Sequence, residues 1–340
     1  MTGERAPLGT SRRRHGITLG LTTACLMGMT PIFGKQAILA GLSPFAVVAY
    51  RTAAASALVV LLILLTRRAY LSIYPLGLAG CALAGALNGI GSVFYYIGLS
   101  RVDAVVGQLL FALYPVHVAL LLYLDGQRPS RLTLVRVALC VPALFLIISP
   151  LGTSVDVLGA ILMFAAGVLY ALHIPINERI LYEVPAPTVT CYTLLAMAAV
   201  VVPLGLAIPA GHPSVPAGAW MPLLALTLVT FFSRLTLFSG VKSIGSLQTA
   251  VLGLAELLLT LILGLGWLRE SLGIQQWLGA ALLFAVLLLA GVDHTTRLPQ
   301  EGRGWLYWLR PPLQNGAPGG GPALRPGNGS REERSDTPSA

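Results

Sequence analysis

Apolar stretches of about 20 residues recur along the chain and are separated by short polar segments. A helix of that length crosses the roughly 30 Å hydrocarbon core of a bilayer. Helices are favoured because a segment in lipid must satisfy its backbone hydrogen bonds internally, and the sequence lacks the alternating pattern of a membrane β-barrel. The pattern predicts an all-α integral membrane protein with about ten transmembrane spans. In chain order, the spans are residues 16–38, 44–66, 74–99, 102–124, 131–149, 156–176, 188–209, 218–239, 244–267 and 273–292.

The composition agrees with this prediction. Of the 340 residues, 56% are hydrophobic and 10% are charged, whereas roughly a quarter of the residues in soluble domains are charged. The four cysteines, Cys25, Cys81, Cys140 and Cys191, each fall inside a predicted span and form no CxxC pair. We interpret them as buried thiols, and we predict no disulfide, metal site or cofactor.

The basic residues predict the orientation. The net charge is +9, and 17 of the 22 Lys and Arg residues fall on one side if the N-terminus is cytoplasmic. The exceptions are Lys35, Arg51, Arg101, Arg234 and Arg269. By the positive-inside rule, we expect a multi-pass plasma-membrane protein with both termini in the cytoplasm. The positive charge then suits anionic lipid headgroups, and we expect no nucleic-acid partner.

The two ends of the chain are predicted to be cytoplasmic tails. Residues 1–15 form a basic N-terminal tail. Within residues 293–340, Trp305, Trp308 and Leu309 lie close together, and this combination predicts a patch at the membrane interface. The sequence then becomes rich in Gly, Pro and Arg, which predicts disorder.

A weak internal repeat divides the chain. Sliding the sequence on itself by 142 residues places Gly98 on Gly240 and Tyr114 on Glu256. We therefore predict two repeats of five spans each, at residues 16–149 and 156–292. Because five is odd, the second repeat must be inverted relative to the first. Inverted repeats are typical of carriers that work by alternating access.

Several short motifs occur in a characteristic order. The first repeat contains Tyr95-Tyr96-Ile97-Gly98-Leu99 and Tyr114-Pro115-Val116, and the second contains Ala255-Glu256 and Leu268-Arg269-Glu270-Ser271-Leu272. In this order and spacing, the chain resembles the EamA-type branch of the drug/metabolite transporter superfamily over residues 16–292. It departs from the family pattern at Leu257, where proline is usual, and at Gln127-Arg128, where Gly-Glu is common.

The resemblance implies ten helices, with spans 1–4 and 6–9 around a central cavity. It also implies that spans 5 and 10 lie at the periphery, often at a homodimer contact. Pro31, Pro115 and Pro175 are expected to interrupt spans 1, 4 and 6. Such breaks free backbone carbonyls, which membrane proteins tolerate where the carbonyls line a cavity or find other partners.

Glu256 is the leading candidate for a functional residue. It falls near the middle of span 9, where an ionised side chain needs a partner or a water-filled cavity. One interpretation is a carboxyl group that binds a proton on one side of the membrane and releases it on the other, which would couple proton entry to solute exit. The other is a static ion pair with Arg234 on span 8.

Other polar residues complete the candidate site. Arg51 and Lys35 have two possible roles: they would steer a solute carboxylate or phosphate into the cavity, or anchor the helix ends at the headgroups. We favour the anchor for Lys35. For Arg51, both interpretations stay open. His117 and His173 are interpreted as packing residues, with a proton relay as the alternative. Six further residues would supply the hydrogen bonds and aromatic walls of a small-molecule cavity. These are Tyr95, Tyr96, Tyr114, Tyr170, Asn88 and Gln108.

The sequence therefore predicts a secondary transporter of small organic metabolites, with a proton-coupled exporter of an amino acid or related solute as the leading hypothesis. An importer or exchanger of the same fold is the nearest alternative. ATP drive is not indicated, because no GxxxxGK[ST] motif precedes a helix. A membrane-embedded enzyme is less favoured because GxSxG and HExxH motifs are missing. A scaffold without transport would not explain a carboxylate at mid-membrane depth.

Overall fold

The computed structural model describes residues 10–124, 131–148, 155–208, 215–245, 249 and 252–292, and this part of the chain is helical without any strand. The α-helices, numbered in chain order, are α1 (Thr10–Gly28), α2 (Thr30–Leu39), α3 (Pro44–Thr66), α4 (Pro75–Arg101), α5 (Ala104–Phe111), α6 (Tyr114–Leu124), α7 (Arg131–Ile148), α8 (Val157–Leu181), α9 (Ala186–Ala207), α10 (Trp220–Ile244), α11 (Leu254–Gly266) and α12 (Ile274–Val292). The predictions for residues 1–9, for Gln127-Arg128 and for the tail at 293–340 lie outside the described residues.

The predicted spans correspond to these helices. Within the described ranges, seven helical segments are long and apolar enough to cross a membrane, and they coincide with spans 1–4 and 6–8. Three shorter apolar helices, Ala138–Ile148, Ala255–Gly266 and Ile274–Val286, coincide with spans 5, 9 and 10. The all-α class is therefore confirmed, and the count of ten crossings stays a prediction.

The starts of two long helices follow from capping residues. Ser43 accepts a hydrogen bond from the Ala46 N–H at 3.2 Å, and Pro44 occupies the first helical position of α3. Asp156 caps α8 by accepting from the Gly159 N–H at 2.8 Å. Both residues satisfy N–H groups that have no partner within the first turn of a helix.

Two of the three predicted proline interruptions are confirmed. Span 1 breaks into α1 and α2 beside Pro31, and span 4 breaks into α5 and α6 beside Pro115. The prediction for Pro175 is wrong, because α8 continues through it to Leu181. Proline lacks the N–H that would bond the Ala171 carbonyl four residues earlier, and membrane helices tolerate such a loss without breaking.

The helices pack in pairs that the internal repeat relates to each other. In the first repeat α1 packs against α10, and in the second its counterpart α8 packs against α4. Two further extensive pairs, α3 with α9 and α7 with α12, join equivalent spans of the two repeats, and the packing of α4 on α9 is matched by that of α10 on α3. The packing thus agrees with two structurally equivalent halves.

Helices α7 and α12 lie beside the rest of the bundle and pack closely on each other. A Cβ atom at Gly279 of α12 would lie only 3.0 Å from the Ala143 carbonyl of α7. The outward face of α7 carries Val141 and Phe145, whose exposed fractions are 66% and 71%. This placement agrees with the expected periphery, and the homodimer contact stays a prediction.

The prediction of four buried thiols is partly wrong. Cys81, Cys140 and Cys191 are buried free thiols, but Cys25 is exposed. Hydropathy places a residue inside a span and does not say which face of the helix it occupies, and Cys25 lies on the outward face of α1.

Candidate functional site

Three breaks in the helices meet near Glu256. The first lies between α1 and α2 at Met29, the second at Ala112 and Leu113, and the third at Gly253 just before α11. Glu256 lies in the first turn of α11, and its repeat counterpart Tyr114 is the first residue of α6. The breaks therefore place two related residues at the starts of half-helices inside the bundle.

Backbone contacts fix the start of α11 against the first break. Thr260 Oγ1 donates a hydrogen bond to the Gly28 carbonyl at 2.8 Å. A Cβ atom on Gly28 would lie only 2.7 Å from the Glu256 carbonyl oxygen. Since real Cβ contacts are never this short, glycine is required for this close approach of α1 and α11.

Glu256 is buried, and its carboxyl group has one partner. Its exposed fraction is 3%. Gln108 Nε2 donates to Glu256 Oε1 at 2.8 Å, and Gln108 Oε1 accepts from the Tyr95 hydroxyl at 3.1 Å. Glu256 Oε2 has no hydrogen-bond partner in the described part of the chain. The alternative of a static ion pair with Arg234 is wrong, because no such pair occurs among the described residues.

Arg234 is held by neutral groups. Its guanidinium lies 3.4 Å from His173 Nε2 and donates to Asn88 Oδ1 at 3.4 Å. His173 is fully buried, and its Nδ1 lies 2.6 Å from the Tyr170 carbonyl oxygen. An N–H at Nδ1 would leave Nε2 as an acceptor, so His173 orients Arg234 as a neutral ring.

Arg51 is also held by neutral groups. It donates to Thr230 Oγ1 at 3.2 Å and to Ser92 Oγ at 3.3 Å. Its guanidinium carbon lies 4.7 Å from the centre of the Tyr96 ring, within reach of a cation–π interaction. Arg51 is only 5% exposed, so the alternative of an anchor at the headgroups is wrong.

The three charged side chains line one central cavity with about 500 Å³ of space free of protein atoms, including its open mouth. Helices from both repeats contribute to the wall. The lining includes Met27, Thr30, Asn88, Ser92, Tyr95, Phe111, Tyr170, Thr230 and Ser233. The described residues contain no group of three His, Cys, Asp or Glu side chains able to hold a metal ion.

A second, smaller cavity, with about 290 Å³ of space free of protein atoms including its open mouth, adjoins the first. The two cavities share Met27, Tyr170 and Glu256. The first uses Thr30 beyond Met27, while the second uses Thr23 on the preceding turns of α1, so the cavities follow one another along span 1. Glu256 therefore borders both of them.

Aromatic rings packed against one another form one side of the two cavities. Phe111 lies 5.1 Å from Tyr95 and 5.2 Å from Tyr170 between ring centres, and Tyr114 lies 4.9 Å from Tyr170. Tyr95, Phe111 and Tyr170 line the first cavity, and Tyr114 lines the second. The Phe111–Tyr95 and Tyr114–Tyr170 contacts are edge-to-face and the Phe111–Tyr170 contact is tilted, and packing at these distances holds the rings in place.

Five predicted site residues do not line either cavity, and one of them, His173, contacts Arg234 as described above. Tyr96 and Gln108 lie behind the lining of the first cavity. Tyr96 packs against Arg51, and Gln108 donates a hydrogen bond to Glu256. Lys35 donates to the carbonyls of Leu99 and Val102 at 2.9 and 2.7 Å, so it caps the end of α4. His117 packs edge-on against the Phe164 ring, at 4.9 Å.

Sequence reasoning missed several polar lining residues. Ser92 lies on the same face of α4 as Asn88 and Tyr95, and Thr230 lies on the same face of α10 as Arg234. The helical spacing of these polar positions was the available signal. Hydroxyl residues are weak signals, however, because they often bond their own helix, as Thr230 Oγ1 does with the Leu226 carbonyl at 2.7 Å.

Glu270 also has a role that the sequence did not indicate. It lies in the segment between α11 and α12 and accepts from the Ala104 and Val105 N–H groups at 2.7 and 2.9 Å. It thereby caps α5 from the other repeat. Burial raises the pKa of Glu270 above its ordinary value, although the two N–H groups act in the opposite direction.

Comparison with known proteins identifies the family. The chain is 25% identical over 204 residues to the uncharacterized transporter YcbK of Bacillus subtilis (strain 168), covering 56% of this chain and 65% of that protein, slightly less than two thirds of its length. It is also 25% identical over 197 residues to an uncharacterized transporter of Archaeoglobus fulgidus, covering 58% of this chain and 70% of that one. A crystal structure with 18% identity shares the fold with a TM-score of 0.61, over 81% of this chain and 95% of that chain.

The family model supplies the broadest match. The model of the EamA-like transporter family matches twice, at residues 14–149 and 157–292. The two matches correspond to the two halves that pack equivalently, and together they include most of the chain. This multi-pass membrane protein belongs to the EamA-like transporter family.

Proposed function

We propose that this transporter exports an amino acid or a related small metabolite across the plasma membrane in exchange for protons, by alternating access. The observation that carries the proposal is Glu256, a buried carboxyl group that borders both central cavities and keeps one oxygen without a partner in the described structure. An ionisable group at this depth is costly, so its retention supports a functional role, and proton exchange is a role that a carboxyl group can perform.

Glu256 has the surroundings that proton exchange requires. The ionised form is stabilised by the Gln108 amide and by the two guanidinium groups that line the same cavity. The protonated form is neutral, and burial in the bundle favours it. Because neither form is locked by an ion pair, a change in access to water can shift the carboxyl group between them.

The two adjoining cavities support alternating access. In our proposal, the cavity on the Thr30 side exchanges with one aqueous compartment and the cavity on the Thr23 side with the other. Met27 and Tyr170 separate them, and the Tyr170 hydroxyl lies 3.3 Å from Met27 Sδ. Moving this contact would transfer Glu256 from one compartment to the other.

The proposed topology has ten crossings in two inverted repeats, with both termini in the cytoplasm. The equivalent packing of the two halves supports it, as do exposed tryptophans at one set of helix ends. Trp220 starts α10, Trp267 follows α11, and Trp277 lies in the first turn of α12. Tryptophans at the ends of spans are typical of the membrane interface.

Purified protein in proteoliposomes tests the proposed transport. Vesicles loaded with a mixture of radiolabelled amino acids are diluted into buffer of equal or lower pH, and efflux is compared with that of protein-free vesicles. We expect faster efflux when the outside is acidic, because proton entry drives solute exit. Flux that ignores the gradient would overturn proton coupling, and efflux that is faster only with unlabelled solute outside would favour an exchanger.

A further inference from the structure

The charges that face the central cavity do not balance. Arg51 and Arg234 are two cations, whereas Glu256 is the one carboxylate among the described lining residues. The other polar lining residues are neutral hydroxyls and an amide. With Glu256 ionised, the cavity therefore carries an excess of one positive charge inside the bundle. Such a charge is costly without a counter-ion.

Neither guanidinium is saturated by the protein. Arg51 Nε is buried without a partner in the described structure. The remaining bonds of Arg51 and Arg234, at 3.2–3.4 Å, are at or beyond the long end of the usual range. All of their partners are neutral. A guanidinium offers five N–H donors, so both side chains keep donors for a ligand.

Aromatic rings position the guanidinium groups of Arg51 and Arg234 beside the cavity. Arg51 lies over the Tyr96 ring at 4.7 Å, and Arg234 lies 5.7 Å from the centre of the Tyr170 ring. Both arginines are more than nine-tenths buried, with exposed fractions of 5% and 6%. A structural role alone would be better served by a carboxylate partner, and neither arginine has one among the described residues.

We propose that the solute is an organic anion whose carboxylate groups outnumber its ammonium groups, with a carboxylate bound by Arg51 and Arg234. Planar guanidinium groups match the geometry of a carboxylate with paired hydrogen bonds. The apolar part of the solute packs against Tyr95, Phe111 and Tyr170. This proposal rests on the proposed transport function and narrows its substrates to organic acids and acidic amino acids.

Thermal unfolding of the purified protein tests the proposal without any gradient or flux. The probes are three acid and amide pairs of nearly equal size: L-glutamate and L-glutamine, succinate and succinamide, and benzoate and benzamide. A ligand that binds the folded state raises the melting temperature. We expect at least one acid to raise Tm by several degrees at saturation, and its amide to have no effect. Equal shifts from an acid and its amide, or no shift from any acid, would overturn the proposal.

Variants locate the binding. In Arg51→Gln and Arg234→Gln, the shift caused by the active acid should disappear, whereas the surface variant Arg68→Gln should keep it. Arg51→Lys retains the charge without the planar fork, so it should show a reduced shift. A full shift in both glutamine variants would contradict binding by these arginines. If the variants do not fold, the acid and amide comparison on the unchanged protein decides by itself.

The outcome is separable from that of the transport experiment. Acid-specific binding together with flux that ignores a pH gradient would leave the anion site standing and remove the proton coupling. Proton-driven flux of neutral or cationic solutes, with no acid able to bind, would leave the proton coupling standing and remove the anion site.

Discussion

Gln108 fixes one oxygen of Glu256, and the other oxygen has no hydrogen-bond partner among the described residues. Its amide group donates to Glu256 and accepts from Tyr95, so a single side chain joins the carboxyl group to the aromatic wall. A hydrogen bond to a charged group contributes about 1.5–3 kcal/mol to the stability of that arrangement. The position of Glu256 therefore depends on Gln108 as well as on the backbone.

Replacing Gln108 should impair transport. Gln108→Leu keeps the size of the side chain and removes both hydrogen bonds, so the carboxyl group loses its fixed orientation. We expect the rate of proton-coupled flux to fall by about 10-fold or more, from the loss of a bond of about 1.5 kcal/mol or greater. The control is Gln36→Leu on α2, which makes the same change outside both cavities. Equal rates in Gln108→Leu and the unchanged protein would show that Gln108 does not position Glu256.

The charged members of the site could be predicted from the sequence because charges inside apolar spans are conspicuous. Glu256, Arg51 and Arg234 were found in this way, and the structure brings all three to one cavity. The sequence could not decide between an ion pair and separate groups, because that depends on the relative rotation of α10 and α11. Ser92 and Thr230 were missed because hydroxyls are common in membrane helices and usually bond their own backbone.

Broken helices place the site at the element scale. The start of α11 packs against the break between α1 and α2, where Gly28 leaves no room for a side chain. The prolines predicted the breaks near Pro31 and Pro115, but the break at Gly253 has no neighbouring proline and was not predicted. The same rule failed at Pro175, where α8 continues to Leu181 although proline cannot donate to the Ala171 carbonyl. Local sequence therefore does not by itself decide whether a proline interrupts a membrane helix.

Adding a methyl group at Gly28 should displace Glu256. A Cβ atom there would meet the Glu256 carbonyl at 2.7 Å, so α1 and α11 must separate in Gly28→Ala. Overpacking of this kind costs about 1–3 kcal/mol, and we expect a lower melting temperature together with reduced flux. Gly266→Ala is the matched control, because nothing lies within 4 Å of its new Cβ atom. A Gly28→Ala protein as stable and as active as Gly266→Ala would contradict the close packing.

The two repeats define the molecule as a whole. Equivalent spans pack in equivalent ways, and residues separated by 142 positions, Tyr114 and Glu256, begin half-helices in the two halves. The offset itself could be predicted from the sequence although identities are few, because Tyr50 with Tyr192, Gly98 with Gly240 and Leu110 with Leu252 share one spacing. The contacts of Lys35 and Glu270 with the ends of α4 and α5 could not be predicted, because they join residues far apart in the sequence.

The most direct measurement compares flux driven by a pH gradient in the unchanged protein and in Glu256→Gln, both reconstituted at equal density. Glutamine keeps the shape of the side chain and cannot exchange a proton. Glu183→Gln, which changes an exposed carboxylate outside both cavities, serves as the control. The proposal predicts that Glu256→Gln folds with a normal melting temperature and loses the response to the pH gradient, while the control retains it. An unchanged pH response in Glu256→Gln would contradict the proposal that Glu256 couples protons to solute export.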